Sequence, residues 1–359
     1  MRRVLVVRLD GAGDVLLAGP AVRAIARDAQ VTMLCGPAGA PAARLLPGVG
    51  DVLEFAAPWV LADPPPVTTA GTAALIGALA ARRFDAAVVL TSFHQSPLPI
   101  ALVLRLAGVP FVGGASVDHA GALLDVRLRP GEDLDEDLPE SERALAIAAA
   151  SGFPADPADD GRLALRTTSP PAVLRLAAGW TGPPYVVVHP GAAVGARRWP
   201  AGHHAEAVRL LAAAGWRVVV TGGPGECDLT AQVAGDDALD LGGRTDLAGL
   251  AGVLAGAEAL VVGNTGAAHL AAAVGTPVVS LFAPVVPAVR WRPHGVPHVL
   301  LGDQRAACRD SRARDCPVAG HPCLAGVTPA EVAAAVERLT TRNPDPHRFV
   351  PADEGGIPA

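Results

Sequence analysis

Short apolar runs alternate with Ala/Leu-rich stretches of helical length along most of the chain. The first run, at residues 4–7, is followed by Gly11 and Gly13 and then by a predicted helix at residues 15–28. This alternation predicts a parallel, doubly wound α/β sheet, whose strands are apolar throughout because helices cover both faces. Further strands are predicted at residues 31–35, 52–55, 86–90 and 111–112.

The periodicity lapses between residues 151 and 184, which are rich in Pro, Gly and Asp, and it restarts at Tyr185. We therefore predict an N-terminal domain at 1–170, a C-terminal domain at 171–341, and a disordered tail at 342–359. The second domain is predicted to have strands at 185–189, 217–221, 259–262 and 278–282, and helices at 201–214, 225–234, 246–255, 265–274 and 329–339. Two such sheets are expected to face each other across a cleft, with ligands at the carboxyl ends of the strands.

Composition narrows the class of protein. Half of the 359 residues are hydrophobic, enough for two cores, and the net charge of -6 gives no basic field for nucleic acid. The longest stretch without a charged residue, 259–289, is interrupted by Gly and Pro, so we interpret it as a βαβ segment and predict no transmembrane span. Five cysteines, an odd number, favour a reducing cytoplasm.

The first candidate site is the glycine turn that presents Asp14. A dinucleotide fingerprint would need glycine at position 16, which is Leu16, and the sequence contains no lysine for a P-loop. Asp14 is therefore either the N-cap of the following helix or a carboxylate base at the cleft.

Two segments of the second half of the chain are predicted to bind an anion. Arg197 and Arg198 follow the strand-end turn at Gly191, and their guanidinium groups suit phosphate oxygens, although a surface pair beside a packed Trp199 has the same pattern.

A second helix start follows the predicted strand at 259–262. Asn264, Thr265 and Gly266 form a small polar turn there, where free amides attract anions, and His269 lies one turn into the helix. That histidine is either a structural residue or a neighbour of the bound anion.

Two further groups have less specific patterns. Glu226 follows the turn at Gly223, where it either holds ribose hydroxyls or opposes the helix dipole. The spacing of the last group is not that of a zinc ribbon or finger, so it predicts a structural thiol cluster rather than a metal site. Its members are Cys308, Cys316, His321 and Cys323.

Taken together, these motifs resemble glycosyltransferase family 9, the ADP-heptose:lipopolysaccharide heptosyltransferases. The matching elements are Gly13-Asp14-Val15-Leu16, His189-Pro190-Gly191-Ala192, Arg197-Arg198-Trp199-Pro200, Asp240-Leu241-Gly242-Gly243-Arg244-Thr245, Asn264-Thr265-Gly266-Ala267-Ala268-His269 and the Cys316–Cys323 segment. Two positions depart from the family pattern: Arg197 replaces a lysine, and Asn264 replaces an aspartate.

The resemblance implies a GT-B fold and an inverting, metal-independent transfer without a cofactor. It implies that Asp14 is the general base and that an ADP-linked heptose binds the C-terminal domain. The expected partner is a glycan, lipid-linked or small-molecule acceptor, as in lipopolysaccharide biosynthesis. The donor or phosphate ligands implied are Arg197, Asn264, Thr265, Gly266 and His269, with Gly191, Gly223 and Glu226 beside the nucleotide.

Two other functions fit the same pattern. One is a sugar-nucleotide epimerase on the same fold, which would alter a nucleotide sugar without any acceptor. The other is a binding protein that has lost catalysis, a reading that the change at Asn264 supports.

Overall fold

A computed structural model of the chain describes residues 1–92, 94–166 and 184–340. The chain divides into two compact units, Met1–Arg166 and Thr167–Ala359. The tail predicted at 342–359 lies outside the described residues.

The first unit contains a six-stranded parallel sheet in the order β3-β2-β1-β4-β5-β6. The chain adds β2 and β3 on one side of β1 and then β4, β5 and β6 on the other side, so the strand order reverses between β1 and β4. This is the strand order of a Rossmann fold. Its strands are β1 (Arg2–Arg8), β2 (Ala29–Cys35), β3 (Val49–Glu54), β4 (Ala86–Val89), β5 (Val112–Ala115) and β6 (Val126–Leu128). Its helices are α1 (Ala12–Leu17), α2 (Gly19–Ala26), α3 (Ala40–Leu45), α4 (Thr69–Arg82), α5 (Leu98–Leu106) and α6 (Glu140–Ala150).

The second unit repeats this arrangement, with the order β12-β11-β10-β7-β8-β9 and the reversal between β7 and β10. Its strands are β7 (Tyr185–His189), β8 (Arg217–Val220), β9 (Leu239–Asp240), β10 (Ala259–Gly263), β11 (Val278–Leu281) and β12 (His298–Leu301). Its helices are α7 (Ala201–Ala213), α8 (Cys227–Ala234), α9 (Leu247–Ala255), α10 (Gly266–Ala273), α11 (Ala288–Trp291), α12 (Pro322–Ala325) and α13 (Pro329–Thr340).

The cores follow from the composition. Aliphatic side chains of β1 and β4 pack on α5 in the first unit, whereas β7, β8 and β10 pack with α7 and α13 in the second. Because both faces of each central strand are covered, β1 is buried from Val4 to Arg8 and β10 along its whole length. The predicted class, two Rossmann-like units of the GT-B type, is confirmed.

Two details differ from the sequence prediction. The single helix predicted at 15–28 is two helices, α1 and α2, because Pro20 has no amide hydrogen to donate to the preceding turn. Strands β6, β9 and β12 were not predicted. Each lies at the edge of its sheet and carries only a short apolar run, so the pattern is weak there.

Within the described ranges, no helix has both the length and the apolar character needed to cross a bilayer.

Leu104 and Leu102 on α5 provide a matched test of this packing. Leu104 is fully buried in the first-unit core, whereas Leu102 is 49% exposed. We expect Leu104→Ala to lower the free energy of unfolding by about 2–5 kcal/mol, because it leaves a cavity. Leu102→Ala should change it by about 0.5 kcal/mol or less. Urea unfolding of both variants measures the difference, and equal losses would contradict the packing described.

Candidate active site

The candidate residues of each unit gather where the strand order reverses. In the first unit they follow β1 and β4, and in the second they follow β7, β8 and β10. Ligands of open parallel sheets bind at these positions, outside the carboxyl ends of the strands.

Arg8, the last residue of β1, organises the first site. Its side chain is 3% exposed, and its guanidinium lies 2.9 Å from a carboxylate oxygen of Asp10 and 2.9 Å from one of Asp14. It also donates to Ser92 Oγ at 2.9 Å and lies 3.5 Å from Glu140. Burial alone would lower the pKa of Arg8, but the three surrounding carboxylates outweigh it and raise that pKa above its ordinary value.

The carboxylates around Arg8 differ in access. The side chain of Asp14 is 26% exposed, compared with 9% for Asp10 and 1% for Glu140. Burial raises the pKa of Asp10, although the charge of Arg8 opposes the shift, and Gln95 donates a hydrogen bond to it. Asp14 is therefore the carboxylate of this group that can best meet a substrate.

Asp14 is not the N-cap of its helix. The N-cap of α1 is Gly11, and Asp14 lies inside the first turn as the third helical residue. The cap interpretation was wrong because the helix begins earlier than predicted, immediately after the glycine turn. In its actual position the carboxylate is near the positive end of a helix and accepts a hydrogen bond from Arg8.

Glu226 and Gly191 are brought together in the second unit. Glu226 ends a short 3-10 helix, and its Oε2 accepts a hydrogen bond from the Gly223 amide at 2.9 Å. Its carboxylate lies against Gly191: a Cβ at position 191 would lie 2.0 Å from Oε1 of Glu226, so a side chain there would displace the carboxylate from this place. The predicted group Gly191, Gly223 and Glu226 therefore forms one polar corner beside β7 and β8.

His189 borders this corner. Its Nδ1 is 3.0 Å from the Thr221 hydroxyl, at the ends of β7 and β8. Burial lowers the pKa of His189, and the nearby Glu226 carboxylate partly opposes that shift.

Arg197 contacts the turn after β10 through both its side chain and its backbone carbonyl. Arg197 Nη1 lies 3.4 Å from the Asn264 carbonyl oxygen, and the Arg197 carbonyl packs so closely on Gly263 that a Cβ there would lie 2.7 Å from it. The glycine at 263 is thus required for the turn after β10 to approach the Arg197 segment.

Asn264 is 5% exposed, and its side chain pairs with the backbone of Ala283. Its Nδ2 donates to the Ala283 carbonyl at 3.3 Å, and its Oδ1 accepts from the Ala283 amide at 3.4 Å. An amide can do both, whereas an ionised carboxylate can only accept. Asparagine therefore joins the ends of β10 and β11 by a two-way contact.

Thr265, Gly266 and His269 lie at the start of α10. Thr265 is the extended N-cap residue, Gly266 is the first helical residue, and His269 is the fourth and is 5% exposed. The first amides of a helix have no partner within it, so this turn presents donors that suit an anion.

The sequence model of glycosyltransferase family 9 (heptosyltransferase) matches residues 72–320, more than half of the chain. The chain belongs to glycosyltransferase family 9.

Individual relatives agree with this membership. Lipopolysaccharide heptosyltransferase 1 of Pseudomonas aeruginosa is 37% identical over 108 residues, an alignment that spans only 30% of each protein. The structure of E. coli ADP-heptose lps heptosyltransferase II has a TM-score of 0.74 at 22% identity, covering 95% of this chain and 99% of that one. E. coli heptosyltransferase WaaC with ADP-2-deoxy-2-fluoro heptose gives 0.68 at 23% identity, covering 94% and 99%. At these identities the two structures show the shared fold.

Two cysteines of the predicted thiol cluster of this family 9 chain are buried, and Cys316 is partly buried. Cys308 and Cys323 are buried in the second-unit core, and burial, reinforced by the neighbouring thiols, raises the pKa of Cys323 to about 12. His321 Nε2 instead lies 3.0 Å from the Ala196 carbonyl. In the part of the chain that the structure describes, no three His, Cys, Asp or Glu side chains are arranged to hold a metal ion.

Sequence patterns did not single out Arg8, Ser92 or Glu140. Arg8 carried one signal, a charged residue that ends an apolar strand. Glu140 is the first residue of α6, and nothing in the local sequence relates it to β1.

His204 on α7 provides a test of the environment around Trp199. Its ring lies 4.7 Å from the Trp199 ring, between centroids, and burial, with smaller contributions from His189 and His203, lowers its pKa to about 3. An unfolded histidine titrates near pH 6.5. Below about pH 6.5 the unfolded chain therefore binds a proton at this position and the folded chain does not, so the free energy of unfolding falls as the pH drops.

We therefore expect His204→Phe to reduce the loss of unfolding free energy between pH 7.5 and pH 5 by about 2 kcal/mol. Denaturant unfolding at the two pH values measures this, with the exposed His119→Gln as the control that leaves the loss unchanged. An unchanged loss in His204→Phe would show that the buried ring is not responsible.

Proposed function

We propose that this family 9 protein transfers heptose from an ADP-linked donor to an acceptor hydroxyl, with inversion and without a metal. The single observation that carries the proposal is the pairing of Asp14, the accessible carboxylate of a buried charge network, with Arg8. Family membership and the ADP-heptose analogue bound by a structure of the same fold support the choice of donor.

The second unit supplies the donor half of the chemistry. In this proposal the diphosphate lies at the start of α10, where the amides after Thr265 and the Arg197 guanidinium face the developing negative charge. Glu226, held against Gly191, accepts hydrogen bonds from the ribose hydroxyls. His269 supports the same turn from its buried position on α10.

Asn264 holds the turn before α10 in place and contributes no charge to it. Its amide is engaged by Ala283 on both sides, so it fixes the distance between the ends of β10 and β11. The missing carboxylate leaves the local field more positive, which suits a diphosphate.

The first unit supplies the base. Asp14 takes the proton of the acceptor hydroxyl as that oxygen attacks the anomeric carbon, and the bond to the diphosphate breaks on the opposite face. Arg8 orients the carboxylate through the hydrogen bond that it donates, because it is itself anchored by Asp10, Glu140 and Ser92.

The proposal predicts the effect of removing the base. Asp14→Asn keeps the shape but cannot accept a proton, so we expect kcat to fall by about 10²–10⁴-fold. Affinity for ADP, which binds the other unit, should remain within about twofold. Transfer assays and calorimetry measure the two quantities, and exposed Asp28→Asn is the matched control. Normal turnover in Asp14→Asn would remove Asp14 from the mechanism.

A second prediction concerns the donor site. Arg197→Ala removes a guanidinium from the diphosphate, and charged hydrogen bonds contribute about 1.5–3 kcal/mol, so ADP affinity should fall by about 10- to 100-fold. Arg209→Ala, an exposed arginine of α7, is the control. Unchanged binding of ADP to Arg197→Ala, measured by calorimetry, would contradict the phosphate assignment.

The donor itself is tested with a thermal-shift series of ADP-, GDP-, UDP- and TDP-linked sugars, since a bound ligand stabilises the folded chain. The largest shift is expected with ADP-heptose. Incubation with donor alone completes the test: release of an altered nucleotide sugar would indicate an epimerase instead.

A further inference from the structure

Residues 308–327, the thiol segment, follow the last strand of the second sheet and contain the predicted thiol cluster. Cys308 and Cys323 are 2% and 1% exposed and belong to the second-unit core. Most of the residues between them are exposed, so the two buried thiols fix the ends of a surface loop. The middle of that loop contacts two neighbouring turns of the second unit.

The thiol segment is bonded to both sides of Ala196, the residue before Arg197. The Ala196 amide donates to the Arg314 carbonyl at 2.9 Å, and His321 Nε2 lies 3.0 Å from the Ala196 carbonyl oxygen. Ala196 is fully buried, so these contacts satisfy backbone groups that water does not reach. The carbonyl contact fixes the peptide group that joins Ala196 to Arg197.

A further contact lies two residues beyond Arg197. Trp199 is 3% exposed, and its Nε1 donates to the Val327 carbonyl, at the end of the thiol segment, at 3.1 Å. Arg197 therefore lies between two residues that the thiol segment anchors, and the position of its backbone depends on both anchors.

The thiol segment also holds the turn after β11. The Asp310 amide donates to the Pro284 carbonyl at 2.8 Å, and the Arg312 amide donates to the Val285 carbonyl at 2.8 Å. Both donor residues have a φ of 56°, a left-handed conformation that is uncommon outside glycine. This turn directly follows Ala283, so the thiol segment contacts both turns that support the start of α10.

His321 supplies the side-chain contact of this arrangement. It is the N-cap of α12, with a φ of 51°, and its carbonyl accepts hydrogen bonds from the amides of Leu324 and Ala325 at 3.2 and 2.9 Å. The helix therefore fixes the backbone from which the imidazole extends. A carbonyl oxygen can only accept a hydrogen bond, so Nε2 carries the proton and donates to Ala196.

We propose that His321 is a positioning residue for donor binding. Its hydrogen bond to Ala196 orders the segment that carries Arg197, and this order directs the guanidinium towards the diphosphate. The ordering follows from contacts within the second unit, whereas its effect on the donor rests on the proposed function of Arg197. Cys308 and Cys323 fix the ends of this support in the core.

Two substitutions separate the hydrogen bond from the shape of the side chain. His321→Gln keeps an N–H donor at nearly the reach of Nε2, whereas His321→Met has a similar length and no donor. In calorimetry with the whole chain, ADP affinity should stay within about twofold in His321→Gln and fall about three- to tenfold in His321→Met, the usual contribution of one hydrogen bond.

A third substitution and a control complete the series. Asparagine tolerates a positive φ, but its amide is shorter than the imidazole, so His321→Asn should behave like His321→Met and replaces it if that variant does not fold. His119→Met, on an exposed histidine of the first unit, should leave ADP affinity unchanged.

A double variant tests whether His321 acts through Arg197. In the Arg197→Ala background, His321→Met should weaken ADP binding no further, because the group that it positions is gone. Hydrogen–deuterium exchange without ADP provides a readout that is independent of the donor. The amides of residues 194–199 should exchange faster in His321→Met and at the unmodified rate in His321→Gln.

The outcomes distinguish this proposal from the transferase proposal. Unchanged ADP affinity in Arg197→Ala would contradict the phosphate assignment, while the difference in exchange would still support the ordering by His321. Equal exchange in His321→Gln and His321→Met would overturn the ordering. The positioning role would be overturned by a loss of ADP affinity that persists in the Arg197→Ala background, or by no loss in His321→Met when Arg197→Ala loses affinity.

Discussion

The buried charge of Arg8 constrains the first unit more than any other interaction. A cation at the end of a buried strand is tolerated only when carboxylates and hydrogen-bond acceptors replace its hydration. Asp10 lies in the turn after β1, Asp14 in the first turn of α1, Ser92 follows β4, and Glu140 begins α6. One side chain therefore fixes the relative positions of a strand, two loops and two helices. Loss of the guanidinium would leave several carboxylates close together without compensation.

This network also divides three chemically identical groups into different roles. Asp10 and Glu140 are buried and anchor the arginine, and Asp14 alone of the three retains substantial exposure. A carboxylate used as a base must be oriented and reachable. Arg8 orients Asp14 through the hydrogen bond that it donates, and the position of Asp14 in the first turn of α1 leaves the carboxylate reachable.

Local sequence patterns were sufficient for the architecture and for the turns. The apolar runs of β1, β7 and β10 and the glycines around Asp14, Gly191 and Gly266 carry their information within a few residues. The partners of those turns did not show in the pattern, since Ser92 and Glu140 lie 84 and 132 positions from Arg8. The role of Asn264 was missed for the same reason, because its partner Ala283 belongs to the segment after another strand.

The family match covers the candidate residues of the second unit but not those that follow β1 in the first unit. The matched range, 72–320, includes the whole donor-side arrangement around Glu226, Asn264 and α10. It begins after β1, so it omits Arg8 and Asp14. The donor is therefore the better supported half of the function, whereas the acceptor must be inferred from the physical character of the first unit. In that unit Asp14 is the carboxylate that a substrate can reach, since Asp10 and Glu140 are almost fully buried.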